Sequence, residues 1–180
     1  MVNEYDGSWL ETYTGGKFHF LDPKPEEIDI VDIAHALSLT CRYGGHCRQF
    51  YSVAQHSVLT ASSGLVETEK ARLAMLMHDA HEAYIHDLPR PIKHVVPYYK
   101  IIETIVQEAI EKRFNIPSIP FRVQKYVDNV ILATEARDLM PNMTDWEPLP
   151  SPLDISIEPW TPEDAEESFL TAYKLYGGKP

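Results

Sequence analysis

Between Thr68 and Glu82 an apolar stripe at helical spacing, Ala71, Ala74 and Met75, runs into His78 and Glu82 on the same face. A core face that meets ionisable groups must pair them or give them a metal, because unpaired buried charge is costly. This constraint requires other segments of the chain to deliver partners to one place. Helical spacing supplies such segments. Ile30, Ile33, Ala34 and Leu37 form one stripe, and Ser52 followed by Gln55 resembles a capping box opening a short helix through His56 and Leu59 that stops at Gly64. Pro97 can open a long helix with the stripe Ile101, Ile102, Ile105, Ala109 and Ile110. Another helix carries Val123, Val127, Val130 and Ile131, with Asp128 beside the stripe. Residues 141–160 hold five prolines and few periodic positions, and read as an extended loop. Thr161-Pro162 then caps a closing helix through Ala165, Phe169, Ala172, Tyr173 and Tyr176. The first 28 residues read as irregular structure or a short hairpin. The expected fold is all-α, about six helices in one domain over residues 1–180, with an irregular N-terminal segment.

Charge and composition narrow the function. The net charge of −11 argues against a broad nucleic-acid surface, which needs basic stripes. One anionic small molecule remains open, since a single cationic site or a bound metal suffices for it. No apolar run is long enough to span a bilayer, and the opening MVNEYDGSW lacks the basic segment and apolar run of a secretory signal, so a cytoplasmic location is expected. Cys41 and Cys47 are too few for a disulfide framework and read as reduced, partly buried thiols.

The candidate site begins with His78-Asp79. Placed on a helix, these neighbours sit about 100° apart and can both reach one ion. His56 lies 22 residues before His78 on another helix, and Asp128 lies 49 residues after Asp79 on a third. Two imidazoles and two carboxylates suit Zn²⁺, Mn²⁺, Fe²⁺ or Co²⁺, with positions left open for water and phosphate oxygen. Each residue alone has a plainer reading: a chance His-Asp pair, a hydrogen-bonded core histidine, a solvated helical aspartate. Their combination with an interrupted stripe favours the site. Asp138 competes with Asp128, but it lies near a helix end beside Arg137. His35, His46, His81, His86 and Arg90 read first as ordinary polar or loop residues.

Arg42-Tyr43, Gln55-His56-Ser57, His78-Asp79-Ala-His-Glu82, Asp87-Leu-Pro-Arg-Pro91-Ile-Lys93 and Asp128 within Tyr-Val-Asp-Asn-Val together resemble the HD-domain phosphohydrolase superfamily over about residues 30–140. The likeness is to bacterial deoxyribonucleoside 5′-monophosphatases and small phage dATP triphosphohydrolases. It implies an HD-domain helical bundle with His56, His78, Asp79 and Asp128 as ligands of a divalent metal (Zn, Co, Mn or Fe), with Mg or Co as additional ions. It further implies Glu82 as the acid/base carboxylate and Asp87 as its catalytic partner. Arg42 resembles the phosphate-binding arginine, with Lys93 beside it. Tyr43 stands where relatives carry a tryptophan near the sugar or base, Gln55 where they carry a glutamate, and Pro91 where a proline excludes a 2′-hydroxyl.

The resemblance implies attack of a metal-activated water on the α-phosphorus of a deoxynucleotide. A dATP or dNTP triphosphohydrolase releasing tripolyphosphate is the preferred form. A deoxyribonucleoside 5′-monophosphatase is the first alternative, and a non-catalytic nucleotide-binding module the second. The expected partner is a small-molecule deoxynucleotide, with neither nucleic acid nor membrane. A homo-oligomer (dimer or hexamer) is expected, and a phage-encoded member would work in the host cytoplasm.

Overall fold

The computed structural model describes residues 9–179. The expectation drawn from MVNEYDGS at the N-terminus lies outside them. A two-stranded antiparallel hairpin, β1 (Trp9–Glu11) and β2 (Lys17–His19), opens the described chain, with Leu10 opposite Phe18. Eight α-helices follow among the described residues: α1 (Ile30–Leu39), α2 (Val53–Ser62), α3 (Glu69–Leu76), α4 (Glu82–Ile85), α5 (Arg90–Lys93), α6 (Tyr99–Phe114), α7 (Phe121–Leu139) and α8 (Pro162–Leu175). Two of these are single four-residue turns, so the six longer ones match the expected all-α fold. None is long and apolar enough to cross a membrane.

The helix starts follow capping chemistry. Asp29, Ser52, Thr68 and Thr161 each accept a hydrogen bond from a backbone N–H of the first turn they precede, satisfying a donor the helix itself cannot. Pro162 occupies the first turn of α8, where its missing N–H costs nothing. The core is where α1, α2 and α8 meet, with α3 against α2. Ile33, Ala34 and Leu37 of α1 and Phe169 of α8 are fully or almost fully buried there with Val53 and Ala54 of α2. The hairpin is fastened to this bundle by Asp32, which accepts from Thr14 N at 2.7 Å and from Thr14 Oγ1 at 3.0 Å. Phe18 stacks on Tyr84 with ring centroids 3.8 Å apart.

The expected loop over 141–160 contains no helix or strand, but it is well anchored. Thr134 Oγ1 accepts from Leu153 N, Asp138 accepts from Ile157 N, and Arg137 donates to the carbonyls of Leu153 and Ile155. Gln55 donates to Glu158 O at 2.8 Å and accepts from Trp160 N at 2.9 Å. Gln55 is therefore a buried clamp on the loop; both ends of its amide are consumed there, which an amide can do and a glutamate carboxylate cannot.

Three periodic readings are corrected. The helix begun at Thr68 does not continue through Glu82: α3 ends at Leu76, and the chain proceeds in i→i+3 turns, with Ala80 N bonded to Met77 O and Glu82 N to Asp79 O. In α6 the buried face is Glu103, Val106, Ala109, Ile110 and Phe114, while Ile101 is 58% exposed. The expected stripe is otherwise in place: Ala109 and Ile110 are buried, and Ile102 and Ile105 pack against the core, while Glu103 fills an inward position the stripe did not include. Val123 of α7 is likewise exposed, since the first turn of α7 extends past the core.

Candidate metal centre

Three elements converge on one spot. His56 comes from α2, His78 and Asp79 from the turns between α3 and α4, and Asp128 from α7. The tightened turn replaces the continuous helix expected at His78-Asp79. It puts His78 Nδ1 2.6 Å from Met75 O, and between α2 and α7 His56 Nδ1 lies 2.6 Å from Glu135 Oε1. Both acceptors are oxygens with no proton to give, so each Nδ1 carries a hydrogen and each Nε2 is the nitrogen left to face a cation. The two Nε2 atoms face the same carboxylates. His56 Nε2 lies 3.5 Å from Asp79 Oδ2 and 3.4 Å from Asp128 Oδ1; His78 Nε2 lies 3.2 Å and 3.9 Å from the same two oxygens.

Neither Nε2 has a partner in hydrogen-bonding geometry, although both are buried. Buried polar atoms are rarely orphaned, and a pair aimed at two carboxylates marks a place for a cation. One donor atom each from His56, His78 and Asp128 lies within 4.8 Å of the others, so this group could hold a metal ion. Asp79 is outside that group but touches it through Oδ2. A second group, Asp79, His81 and Glu82, meets the same distance limit. It is the weaker of the two, because both ring nitrogens of His81 already face acceptors: Gln107 Oε1 at 3.1 Å and Glu103 Oε1 at 3.2 Å.

The electrostatics fit a cation at the first group. Burial raises the Asp128 carboxyl, but the facing His56 and His78 outweigh it and hold Asp128 well below the usual range. Burial and Arg42 oppose a charge on His56; Glu135 and Asp128 outweigh them and push it up to about 10.

Glu135 is the hub behind the histidine. It is fully buried and accepts from Tyr43 Oη at 2.5 Å, Tyr51 Oη at 2.8 Å and His56 Nδ1 at 2.6 Å, with Arg42 Nη2 3.3 Å away. Burial alone would raise its pKa, but Arg42, His56 and the hydrogen bonds hold it down at about 2. Sequence reading missed this residue. The signal was present: Glu135 lies two turns after Asp128 and interrupts the buried run Ile131, Ala133, Thr134 and Ala136 as His78 interrupts its own stripe.

The other expected residues lie around this core. Arg42 is buried, with Nη1 3.7 Å from Asp79 Oδ2. Tyr43, expected near a sugar or base, turns its hydroxyl inward to Glu135 and adopts a left-handed φ of 58° followed by Gly44 and Gly45, also left-handed. Glu82 is buried, and one of its oxygens, Oε2, has no partner. Burial, Asp79 and Asp87 together push its carboxyl well up, against Lys93 and Arg42. Asp87 is half-buried in the loop after α4, near enough for its charge to act on Arg42 and Glu82. Lys93 spans Glu82 Oε1 at 3.4 Å and Glu103 Oε1 at 3.0 Å. Pro91 sits in α5 and is exposed. Asp138 is spent on Arg137 and Ile157 N, away from the histidines. His35 pairs with Glu166 and stacks on Tyr13, and His46 is exposed.

No family model matches the chain. It is 44% identical over 132 residues to the uncharacterized protein YfdR of Escherichia coli, covering 73% of this chain and 72% of that one. It is 33% identical over 145 residues to an uncharacterized protein of Rhodobacter capsulatus, covering 73% of each. Identity of this extent, running across most of both chains, places the protein in the family of YfdR-like proteins.

Proposed function

We propose that this chain is a metal-dependent phosphohydrolase of the HD type that cleaves a deoxynucleotide at the α-phosphorus, with dATP or another dNTP as substrate and deoxynucleoside plus tripolyphosphate as products. The observation that carries this reading is the pair of buried, unpartnered Nε2 atoms of His56 and His78 facing Asp79 and Asp128. The nitrogen and oxygen donors suit Zn²⁺, Mn²⁺, Fe²⁺ or Co²⁺. Such an ion, when bound, acidifies water and withdraws charge from a phosphoryl oxygen.

The chain's own residues then have separable tasks. Glu82, whose burial favours the protonated form, can hand a proton to the leaving oxygen, with Asp87 as its neighbour. Lys93 holds Glu82 in place and brings a positive charge beside it. Arg42, fixed between Asp79 and Glu135, offers a guanidinium to phosphate oxygens. Pro91 and Tyr43 are proposed to border the sugar. The net charge of −11 makes a long nucleic acid a poor substrate and leaves a small anion drawn in by a local cationic site. The protein is further proposed to work as a homo-oligomer, which light scattering reads directly.

The test is a screen of dNTPs, dNMPs and ribonucleotides with Zn²⁺, Mn²⁺, Co²⁺ and Mg²⁺, products separated by chromatography. Tripolyphosphate from a dNTP supports the reading, and orthophosphate from dNMPs would assign the monophosphatase form instead. Glu82→Gln should lower kcat by about 10²–10⁴-fold while metal content stays unchanged. Full turnover by Glu82→Gln would remove the proton-transfer role.

A further inference from the structure

Cys41 and Cys47 close the two ends of the loop that carries Arg42 and Tyr43, and their sulfurs stand 3.7 Å apart as free thiols. Both flanks of the loop are anchored. Cys41 bridges Ser52, Arg42 N donates to Tyr51 O at 2.9 Å, and Arg48 N donates to Leu139 O at 2.9 Å. Between these anchors the chain passes through three left-handed residues, Tyr43, Gly44 and Gly45, and Gly44, Gly45 and His46 are exposed. A disulfide needs sulfurs about 2.0 Å apart, so the pair must close by about 1.7 Å. Cys41 also lines a cavity of about 850 Å³ with Tyr13, His35, Thr40, His86 and Asp87, and both cysteines are only partly buried.

We propose that Cys41 and Cys47 form a reversible disulfide, a modification site that straps the loop holding Arg42 and Tyr43 against Glu135. The oxidant is a low-molecular-weight disulfide such as oxidised glutathione. One protein thiolate attacks it, forming a mixed disulfide and releasing one glutathione thiol. The second protein thiolate attacks the protein sulfur of that mixed disulfide and releases the other. Two protein thiols are oxidised, one glutathione disulfide is reduced to two thiols, and the two protons move from protein sulfur to glutathione sulfur. Burial and the adjacent Cys41 thiol push the Cys47 thiol up, so exchange should quicken as pH rises. The strap is independent of what the metal centre hydrolyses. Its consequence is mechanical: the exposed turn can no longer open, so Arg42 and Tyr43 stay docked on Glu135.

The whole chain is incubated with oxidised glutathione, free thiols are alkylated, and the protein is digested with trypsin. The expected product has no glutathione adduct, and the peptide ending at Arg42 is joined through Cys41 to the peptide ending at Arg48, a link that dithiothreitol removes. Amide exchange at Tyr43–His46 should slow several-fold in the oxidised protein. Cys47→Ser should keep a glutathione adduct that the wild type discharges. A wild type that keeps glutathione as firmly as Cys47→Ser, a link formed only between chains, or unchanged exchange in the loop would each overturn the proposal.

Discussion

Glu135 shows how one side chain fixes the chemistry of another. By accepting from His56 Nδ1 it sets which ring nitrogen carries the proton and turns Nε2 toward Asp79 and Asp128. Glu135→Gln keeps the shape and loses the charge that Arg42 and His56 face. Metal affinity should fall about 10–100-fold by calorimetric titration, with secondary structure retained. Glu135→Ala should behave differently. It leaves the buried Arg42 without its nearest carboxylate, a loss of about 3–5 kcal/mol in stability. Affinity in Glu135→Gln equal to the wild type would show that the histidine does not depend on this partner. The ligand candidates His56, His78, Asp79 and Asp128 were readable because His78 interrupts an apolar stripe and the four together match the motif spacing of the resemblance. Glu135 broke a stripe too, but without a motif to mark it. Tyr43 could not be placed from sequence, since a left-handed tyrosine whose hydroxyl turns inward depends on the two glycines after it and on a carboxylate 92 positions away.

At the scale of elements, capping decides where the ligand-bearing segments start. Ser52 Oγ accepts from Gln55 N at 3.1 Å and opens α2 one turn before His56. Ser52→Ala should cost about 1 kcal/mol in urea unfolding, and an unchanged midpoint would show that the cap is dispensable. The break after α3 was not legible. Ala71 to Glu82 has helical spacing throughout, and no glycine or proline marks the stop. The tertiary demand that His78 and Asp79 both face α2 and α7 overrides that local preference. In α6 four of the five expected stripe positions face the core, but the inward position 103 was missed because it is filled by an acid, Glu103. That acid is paired: His81, Lys93 and Lys100 lie 3.2, 3.0 and 2.6 Å from it. Burial raises its pKa, but those three hydrogen bonds outweigh burial and hold it well below 4.5. A carboxyl depressed in the folded state stabilises the fold above its unfolded pKa, and that contribution drains away as pH falls through the folded value. Glu103→Gln should therefore unfold at lower urea than the wild type at neutral pH, with the gap narrowing below pH 4.5. A gap independent of pH would contradict this.

For the molecule as a whole, the six longer helices, their order and the all-α class followed from periodicity and capping residues, whereas the short hairpin and the two four-residue turns carried too little pattern to be delimited. The bundle brings residues from α2, the α3–α4 turns and α7 to one place, and long-range partners such as Gln55 with Glu158 and Trp160 hold the irregular segment against it. What unites these scales is a cation held between two imidazoles and facing carboxylates. Metal-free protein titrated with Zn²⁺ or Mn²⁺ in a calorimeter, wild type beside Asp128→Asn, tests this most directly. The wild type should take up one ion per chain at the first group, releasing protons as His56 yields its own, while Asp128→Asn, folded by circular dichroism, loses that uptake. No uptake by the wild type, or equal uptake by Asp128→Asn, would contradict the account.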